Sequence, residues 1–265
     1  MDLSYWHTQT PTKPLFPDIE CNRPERRDQA GRLGIIGGNK LGFASVAESY
    51  TTAYQVGAGD VRVLLPDVLK KSLPAAITDA VYGATTPSGS LSKQALDEMR
   101  ALGEWATGIL LVGDAGRNSE TAIAYEDFIS HYSGPLTLTR DAIDLVKNSP
   151  HLLVERDQTL LVASFAQTQK LFQHVYYPKV LTFAMPLLQL VEALHKFTIT
   201  YPCHIATLHH DTLVIASAGR IVTQDFDEPM RIWRGEIATR MATYWLWNHT
   251  KALEAAATAI ARPNE

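Results

Sequence analysis

Cysteine is nearly absent from this chain. Cys21 and Cys203 are the only two and sit in unlike surroundings, so they suggest neither a disulfide framework nor a zinc site. Both read as free thiols, the usual state of isolated cysteines that pack as small apolar groups. Long apolar runs are missing too: no stretch reaches the about 18 consecutive apolar residues that a membrane-spanning helix requires. The first residues lack the charged, apolar and small-residue order of a secretory leader, which makes the cytoplasm the expected address and no membrane partner the expectation. Positive charge is in short supply, with 24 Lys and Arg against 28 Asp and Glu, and there is no dense basic run. Binding nucleic acid means neutralising phosphates, so no nucleic-acid partner is expected. What is present is a globular composition, 46% hydrophobic and 20% charged over 265 residues, sufficient for one α/β domain with a substantial core.

The most informative stretch runs from Gly31 to Leu65. Leu33 to Ile36 is a short apolar run, Gly37, Gly38 and Gly42 make a tight turn, and Phe43 to Gln55 reads as a helix. Gly57-Ala58-Gly59 closes that helix before Val61 to Leu65 resumes a strand. Such a βαβ unit buries its helix on a parallel sheet and leaves ligands at the carboxyl ends of the strands. Gly38, Asn39 and Lys40 therefore edge a candidate site whose helix N-terminus would attract an anion; the alternative is a plain turn.

Further along, Pro66 to Val81 carries a helical stripe of Val68, Leu69, Leu73 and Ile77, and Leu91 to Leu102 reads as a second helix. Thr107 to Val112 is an apolar strand ending in Gly113-Asp114-Ala115-Gly116, with a helix from Ser119 to Ile129. Gly134 to Val146 is strand then helix, with Asp141 just past the strand end, where it is either a site residue or an ordinary helix cap. Leu152 to Val154 and Thr159 to Ala163 read as strands, and Val180 to Phe197 as an amphipathic helix ending near His195. Cys203 to Leu208 and Thr212 to Ala216 flank His209-His210-Asp211; paired histidines suit a metal, but the sequence places no third ligand, so no metal site is assigned. Ile237 to Trp247 is a helix that Glu236 begins, and Lys251 to Ala261 reads as a closing surface helix. Residues 1–30, with Pro11, Pro14, Pro17 and Pro24, read as an extended arm whose Tyr5, Trp6, Leu15 and Phe16 would lie on the domain or on a second copy in a homo-oligomer. Residues 31–265 read as a single domain.

These motifs resemble one family. A GG turn, a small polar residue, a helix and then G-A-G before V-x-V is similar to the opening of the ribokinase-like, ATP- or ADP-dependent NAD(P)H-hydrate dehydratases, and Gly38 to Gly57 keeps the family's spacing of nineteen positions. The family's glycine-rich G-P-G-L-G matches the turn bearing Gly113 and Gly116, and P-L-V-L-D-A-D-A-L-N-L-L aligns with 135–146 so that Asp141 holds the second aspartate. The chain also departs from the pattern. Asn39 replaces a serine, Asp114 and Arg117 enter the glycine turn, Thr139 replaces the first aspartate, Ser164 and Gln167 replace a histidine and a glutamate, and His209-His210 replaces Lys-Gly. The phosphate-holding G-T-G-D turn becomes Trp233-Arg234-Gly235-Glu236.

The resemblance implies an α/β fold, a ribokinase-like three-layer sandwich with a mainly parallel central sheet and helices on both faces. It implies ATP or ADP with Mg²⁺ as cofactors, and a nucleotide and a hydrated dinucleotide as small-molecule partners. Glu236 would be the catalytic base, Gly235, Arg234 and His209 would hold the nucleotide's phosphates, and Gly38, Asn39, Lys40, Gly113, Asp114, Gly116 and Asp141 would border the substrate. The departures leave two alternatives open: a catalytically degenerate member kept for binding or assembly, and a ribokinase-type small-molecule kinase.

Overall fold

In the computed structural model, which describes residues 3–261, one sheet of ten strands runs through the molecule. Its first half comprises β1 (Trp6–Gln9), α1 (Asp18–Cys21), β2 (Arg32–Ile36), α2 (Ala44–Val56), β3 (Asp60–Pro66), β4 (Ala80–Gly83), α3 (Leu96–Trp105), β5 (Gly108–Leu111), α4 (Ser119–His131) and β6 (Leu136–Thr139). The second half comprises α5 (Asp141–Leu145), α6 (His151–Val154), β7 (Thr159–Ser164), α7 (Phe165–His174), α8 (Leu187–Thr200), β8 (His204–His209), β9 (Thr212–Ser217) and β10 (Arg220–Asp225). Three further helices, α9 (Pro229–Trp233), α10 (Glu236–Trp247) and α11 (Ala252–Ile260), complete it.

The strand order is β1-β10-β9-β8-β7-β6-β5-β2-β3-β4. Only β9 runs against its neighbours; every other pairing is parallel. The period-two rule separates the core into two layers. Leu33, Ile35, Val63, Leu65, Leu160 and Val162 face one way, onto α2, α10 and α11. Ile36, Leu64, Leu161 and Ala163 face the other, onto α3, α4, α7 and α8. Strands covered on both faces must be apolar on both, which is why these runs are continuous rather than alternating. The architecture is the expected α/β sandwich with helices on both faces.

Several local expectations are corrected. Pro66 to Val81 is not a helix: Pro74, with no N–H and a ring that clashes with the preceding turn, blocks one. The chain makes a single turn at Asp67–Leu69 and then adds β4 beside β3, with Ala80 opposite Val63. Leu152 to Val154 is one helical turn behind Pro150 rather than a strand, an ambiguity that three apolar residues cannot resolve. The helix expected from Val180 starts after Pro186, at Leu187, and runs past His195 to Thr200. His195 stacks on Tyr5, ring centroids 3.6 Å apart, and its Nδ1 contacts the Gly219 carbonyl. The Ala-rich last helix is buried, not superficial: small side chains let α11 sit close to the sheet and to α10, and residues 255–259 are all buried. β10 was not foreseen, and it gives the first segment its place. Trp6–Gln9 pairs parallel with Ile221–Gln224, Trp6 Nε1 donates to Thr223 Oγ1 at 2.9 Å, and Gln9 Nε2 donates to Gln224 Oε1 and to the Ala257 carbonyl at 2.8 and 2.7 Å.

Candidate functional site

From β2 the chain moves one way across the sheet, to β3 and β4; from β5 it moves the other way, to β6, β7 and β8. The carboxyl ends of β2 and β5 thus flank the switch point, the position where parallel sheets leave a crevice for ligands. Two glycine loops meet there. Gly38 N donates to the Gly113 carbonyl at 3.4 Å, and Asn39 Nδ2 donates to the Asp114 carbonyl at 2.6 Å. A Cβ on Gly113 would stand 2.5 Å from Arg140 Nε, so only glycine lets that guanidinium lie across the β5 end. Gly235 joins the same cluster. It holds φ +90° ahead of α10, and a Cβ there would come 3.0 Å from Val112 Cγ2 and 3.5 Å from Ser49 Oγ. Gly38, Gly113 and Gly235 therefore share one rim.

The charges at this rim are largely paired within the chain. Phe43, at the cap position of α2, has no side-chain acceptor to offer. Asp114 supplies one from a distance: its Oδ2 accepts from Ser45 N at 2.9 Å and Ser45 Oγ at 2.6 Å, while its Oδ1 accepts from Arg140 at 2.9 Å. The α2 N-terminus, where the sequence suggested a bound anion, already holds the chain's own carboxylate. Glu236 opens α10, and Arg231 grips both of its oxygens through Nε at 3.0 and 2.9 Å and through a second, shorter contact from its terminal nitrogen. Arg231 also donates to Glu228 at 3.0 Å. Glu48, on α2, is drawn into the group. Burial pushes its carboxyl pKa up, Arg234 and Arg140 pull it down, and the charge of Glu236 pushes it up. Ser49 Oγ, beside Gly235, is fully buried and has no hydrogen-bond partner.

The remaining positions are spread around these. Lys40 is exposed, its N–H on the Gly89 carbonyl at 2.8 Å. Asp141 does not cap its own helix, whose cap position is Arg140 at φ +56°; its Oδ2 instead accepts from Gly116 N at 3.0 Å. His209 is buried, with Nε2 donating to the Met185 carbonyl at 2.9 Å and Nδ1 without a hydrogen-bond partner. Thr139 and Gln167 are turned inward, Thr139 donating to the Val162 carbonyl at 2.9 Å and Gln167 to the Arg140 carbonyl at 2.7 Å and Asp144 at 2.9 Å. Ser164 and Gln167 form a reciprocal capping box on α7.

Beyond the switch point, over the ends of β6, β7 and β8, lies a cavity of about 370 Å³. Phe165, Phe183, His210, Ile232, Trp233 and Arg140 line it. Phe183 and Trp233 stay 61% and 53% exposed although they are large apolar groups. Sequence reasoning placed Trp233 and His210 in motifs but gave no site role to Phe165, Phe183 or Ile232, nor to Glu48 and Arg231. Phe183 has no periodicity to betray it, and Arg231 reaches Glu236 only because the chain folds back at Gly235.

No family model and no curated protein sequence matches the chain. Solved structures do. A ribokinase-like superfamily protein from Enterococcus faecalis superposes with a TM-score of 0.73 at 16% identity, over 98% of this chain and 87% of that one. The fold is ribokinase-like. An ADP/ATP-dependent NAD(P)H-hydrate dehydratase from Bacillus subtilis, co-crystallised with ATP and Mg²⁺ and soaked with CoA, is similar over 94% of this chain and 86% of that one, with a TM-score of 0.61 and 14% identity. A phosphomethylpyrimidine kinase from Clostridium difficile is similar over 86% and 97%, with a TM-score of 0.54 and 9% identity. The ribokinase-like fold thus carries both dehydratases and kinases among its structural neighbours. Among the described residues no helix is long and apolar enough to cross a membrane.

Proposed function

We propose that this ribokinase-like chain binds ATP or ADP at the rim between the aromatic cavity and the α10 N-terminus and uses it to drive dehydration of hydrated NADH or NADPH. The observation that carries this reading is the Gly235–Glu236 corner: a left-handed glycine and a carboxylate at the first position of a twelve-residue helix. The left-handed glycine turns the chain so that the first N–H groups of α10 open beside the carboxylate, an arrangement that fits a phosphate. Phe165, Phe183 and Trp233 offer faces on which a nucleobase stacks. Arg234 and Arg140 supply charge for phosphates. Among the described residues no three His, Cys, Asp or Glu side chains converge as a metal cage. A Mg²⁺ carried by nucleotide phosphates needs only one or two carboxylates, and Glu48 and Glu236 would be those nearest.

When bound, the nucleotide supplies the phosphoryl group that turns a hydroxyl into a good leaving group. The chain's own part is to hold the phosphates, to exclude water with the aromatic lining, and to take the hydroxyl proton on a Glu236 oxygen. That last role requires Arg231 to let go of Glu236, and the incoming phosphates are the competing anions that would draw the guanidinium away.

The test is recovery of NADPH absorbance when the protein is incubated with hydrated NADPH and ATP or ADP. Turnover is expected, with Glu236→Gln slowing it by about 10²–10⁴-fold, the range for loss of a general base. No recovery at high protein concentration ends the lyase reading, and full activity in Glu236→Gln removes that carboxylate from the mechanism. A second reading, binding without turnover, is favoured by one observation: in the resting structure Glu236 is gripped on both oxygens by Arg231. Saturable ATP or ADP binding without absorbance recovery supports it. Transfer of phosphate to a small-molecule hydroxyl would instead mark a kinase.

A further inference from the structure

Two residues beside the switch point hold backbone conformations that favour glycine. Asp114 has φ +61°, and Arg140 has φ +56° with ψ −137°. Each lies just past a strand, at the carboxyl ends of β5 and β6. Such conformations persist only where surrounding contacts impose them, and they concentrate at ligand clamps and switches. At Arg140 the contacts come from three sides. Its carbonyl accepts from Gln167 Nε2 at 2.7 Å, its stem lies over Gly113, where a Cβ would meet its Cδ at 2.7 Å, and its guanidinium donates to Asp114 Oδ1 at 2.9 Å. The two strained residues thus hold each other as an ion pair. Their side chains stay 29% and 21% exposed, so an incoming molecule can reach both.

Arg140 also lines the aromatic cavity, together with Phe165 and Trp233. Among the described residues its guanidinium makes no hydrogen bond besides the one to Asp114, which leaves most of its five N–H groups for another acceptor. The pattern aligned with 135–146 has an alanine at position 140, so the resemblance gives this side chain no role. The consequence is a competition. An anion carried into the cavity by a stacked ring meets a cation whose charge Asp114 already offsets, and it gains the full interaction only when Arg140 turns from Asp114 to it. A neutral ligand offers nothing in exchange. We infer that the Asp114–Arg140 pair is a strap that sets the specificity of this site: it yields to a ligand with a phosphate beside an aromatic ring and stays shut to the same ring without one. The inference deepens the nucleotide reading and rests on it for the ring, while its anion half is testable without any base.

ADP, adenosine and pyrophosphate are the probes, titrated calorimetrically into the full chain without divalent cations. The wild type is expected to bind ADP about tenfold or more tightly than adenosine. Asp114→Asn keeps an oxygen for Ser45 but turns an amide NH₂ toward Arg140, which releases the strap. ADP and pyrophosphate should then bind about 3–10-fold more tightly, the worth of one half-buried ion pair, with adenosine unchanged. A tighter complex cannot come from a misfolded chain, so this gain is free of the ambiguity of a loss. Arg140→Gln should weaken ADP and pyrophosphate by about 10–100-fold, the range for a charged hydrogen bond, and in that background Asp114→Asn should bring no gain. Where Asp114→Asn melts early, the loss in Arg140→Gln for ADP but not for adenosine decides alone. Equal affinity for ADP and adenosine, a folded Asp114→Asn that binds ADP and pyrophosphate no more tightly, or a gain that persists beside Arg140→Gln overturns the strap. Failure of the nucleotide reading looks different: pyrophosphate follows the variants as expected, which upholds the strap, while neither ADP nor adenosine binds. Silence of all three probes ends both.

Discussion

The two halves of the ligand-facing rim are built on opposite principles. At the switch point, between β2 and β5, polar groups crowd together and nearly all are satisfied internally, with Asp114 serving Ser45 and Arg140, Asn39 serving the Asp114 carbonyl, and Arg231 serving Glu236. Over β6 to β8 the rim is apolar and open, and Phe183 and Trp233 stand in solvent without cover. The first region therefore contributes to holding the fold together, and the second is available to an outside molecule. Local charge density alone is a poor guide to which part of a cleft binds, because a charge that already has a partner must be released before it can serve a ligand.

The sharpest way to break this contrast is Asp114→Ala. It removes the acceptor on the α2 N-terminus and strands Arg140 at the β5 end, so unfolding should cost about 2–3 kcal/mol less, the sum of a lost cap and a lost, partly exposed charged hydrogen bond. Denaturant titration should show a lower midpoint with an unchanged slope. Were the midpoint to stay put, the switch-point charges would not be structural and the contrast would fail. The opposite result is expected on the aromatic side. Phe183→Ala should leave the midpoint within about 0.5 kcal/mol, as for exposed positions generally, yet weaken ATP or ADP by about 5–150-fold through lost stacking, worth about 1–3 kcal/mol per base. Calorimetric titration reads this directly, and unchanged affinity would remove the nucleobase from that cavity.

The sequence made the frame legible because glycine positions and apolar runs are local signals. The Gly38-to-Gly57 spacing frames α2, and the runs 33–36, 61–65, 107–112 and 159–163 map onto β2, β3, β5 and β7 of the central sheet. What it hid were relations between distant residues. Asp114 captures the start of α2 across 69 positions, and β1 finds β10 across more than two hundred; no periodicity encodes either. Pro74 and Pro186 were visible and should have outweighed the apolar stripes around them, since a missing N–H and a ring clash defeat a favourable hydrophobic face. Alanine misled in another way: in α11 it marks close helix packing, although helix propensity alone makes it equally common on surfaces.

The smallest effect concerns Asp141, which belongs to neither half of the rim as drawn above. Its pKa is raised, mainly by burial, against the downward pull of the Gly116 N–H and Arg140. A carboxyl whose folded pKa lies above its unfolded value binds a proton more tightly in the native state, so ∂ΔG/∂pH is negative between the two values. The cost of keeping it ionised is fully present above the folded pKa and is relieved as pH falls through that pKa toward the ordinary carboxylate value. Asp141→Asn carries no charge at any pH and still offers an acceptor to Gly116. Against the wild type it should therefore gain stability at neutral pH and lose that advantage progressively below the folded pKa. Thermal melts of both proteins from neutral pH downward would show the two curves converging on the acid side. Curves that stay parallel would mean that Asp141 is not strained by its burial.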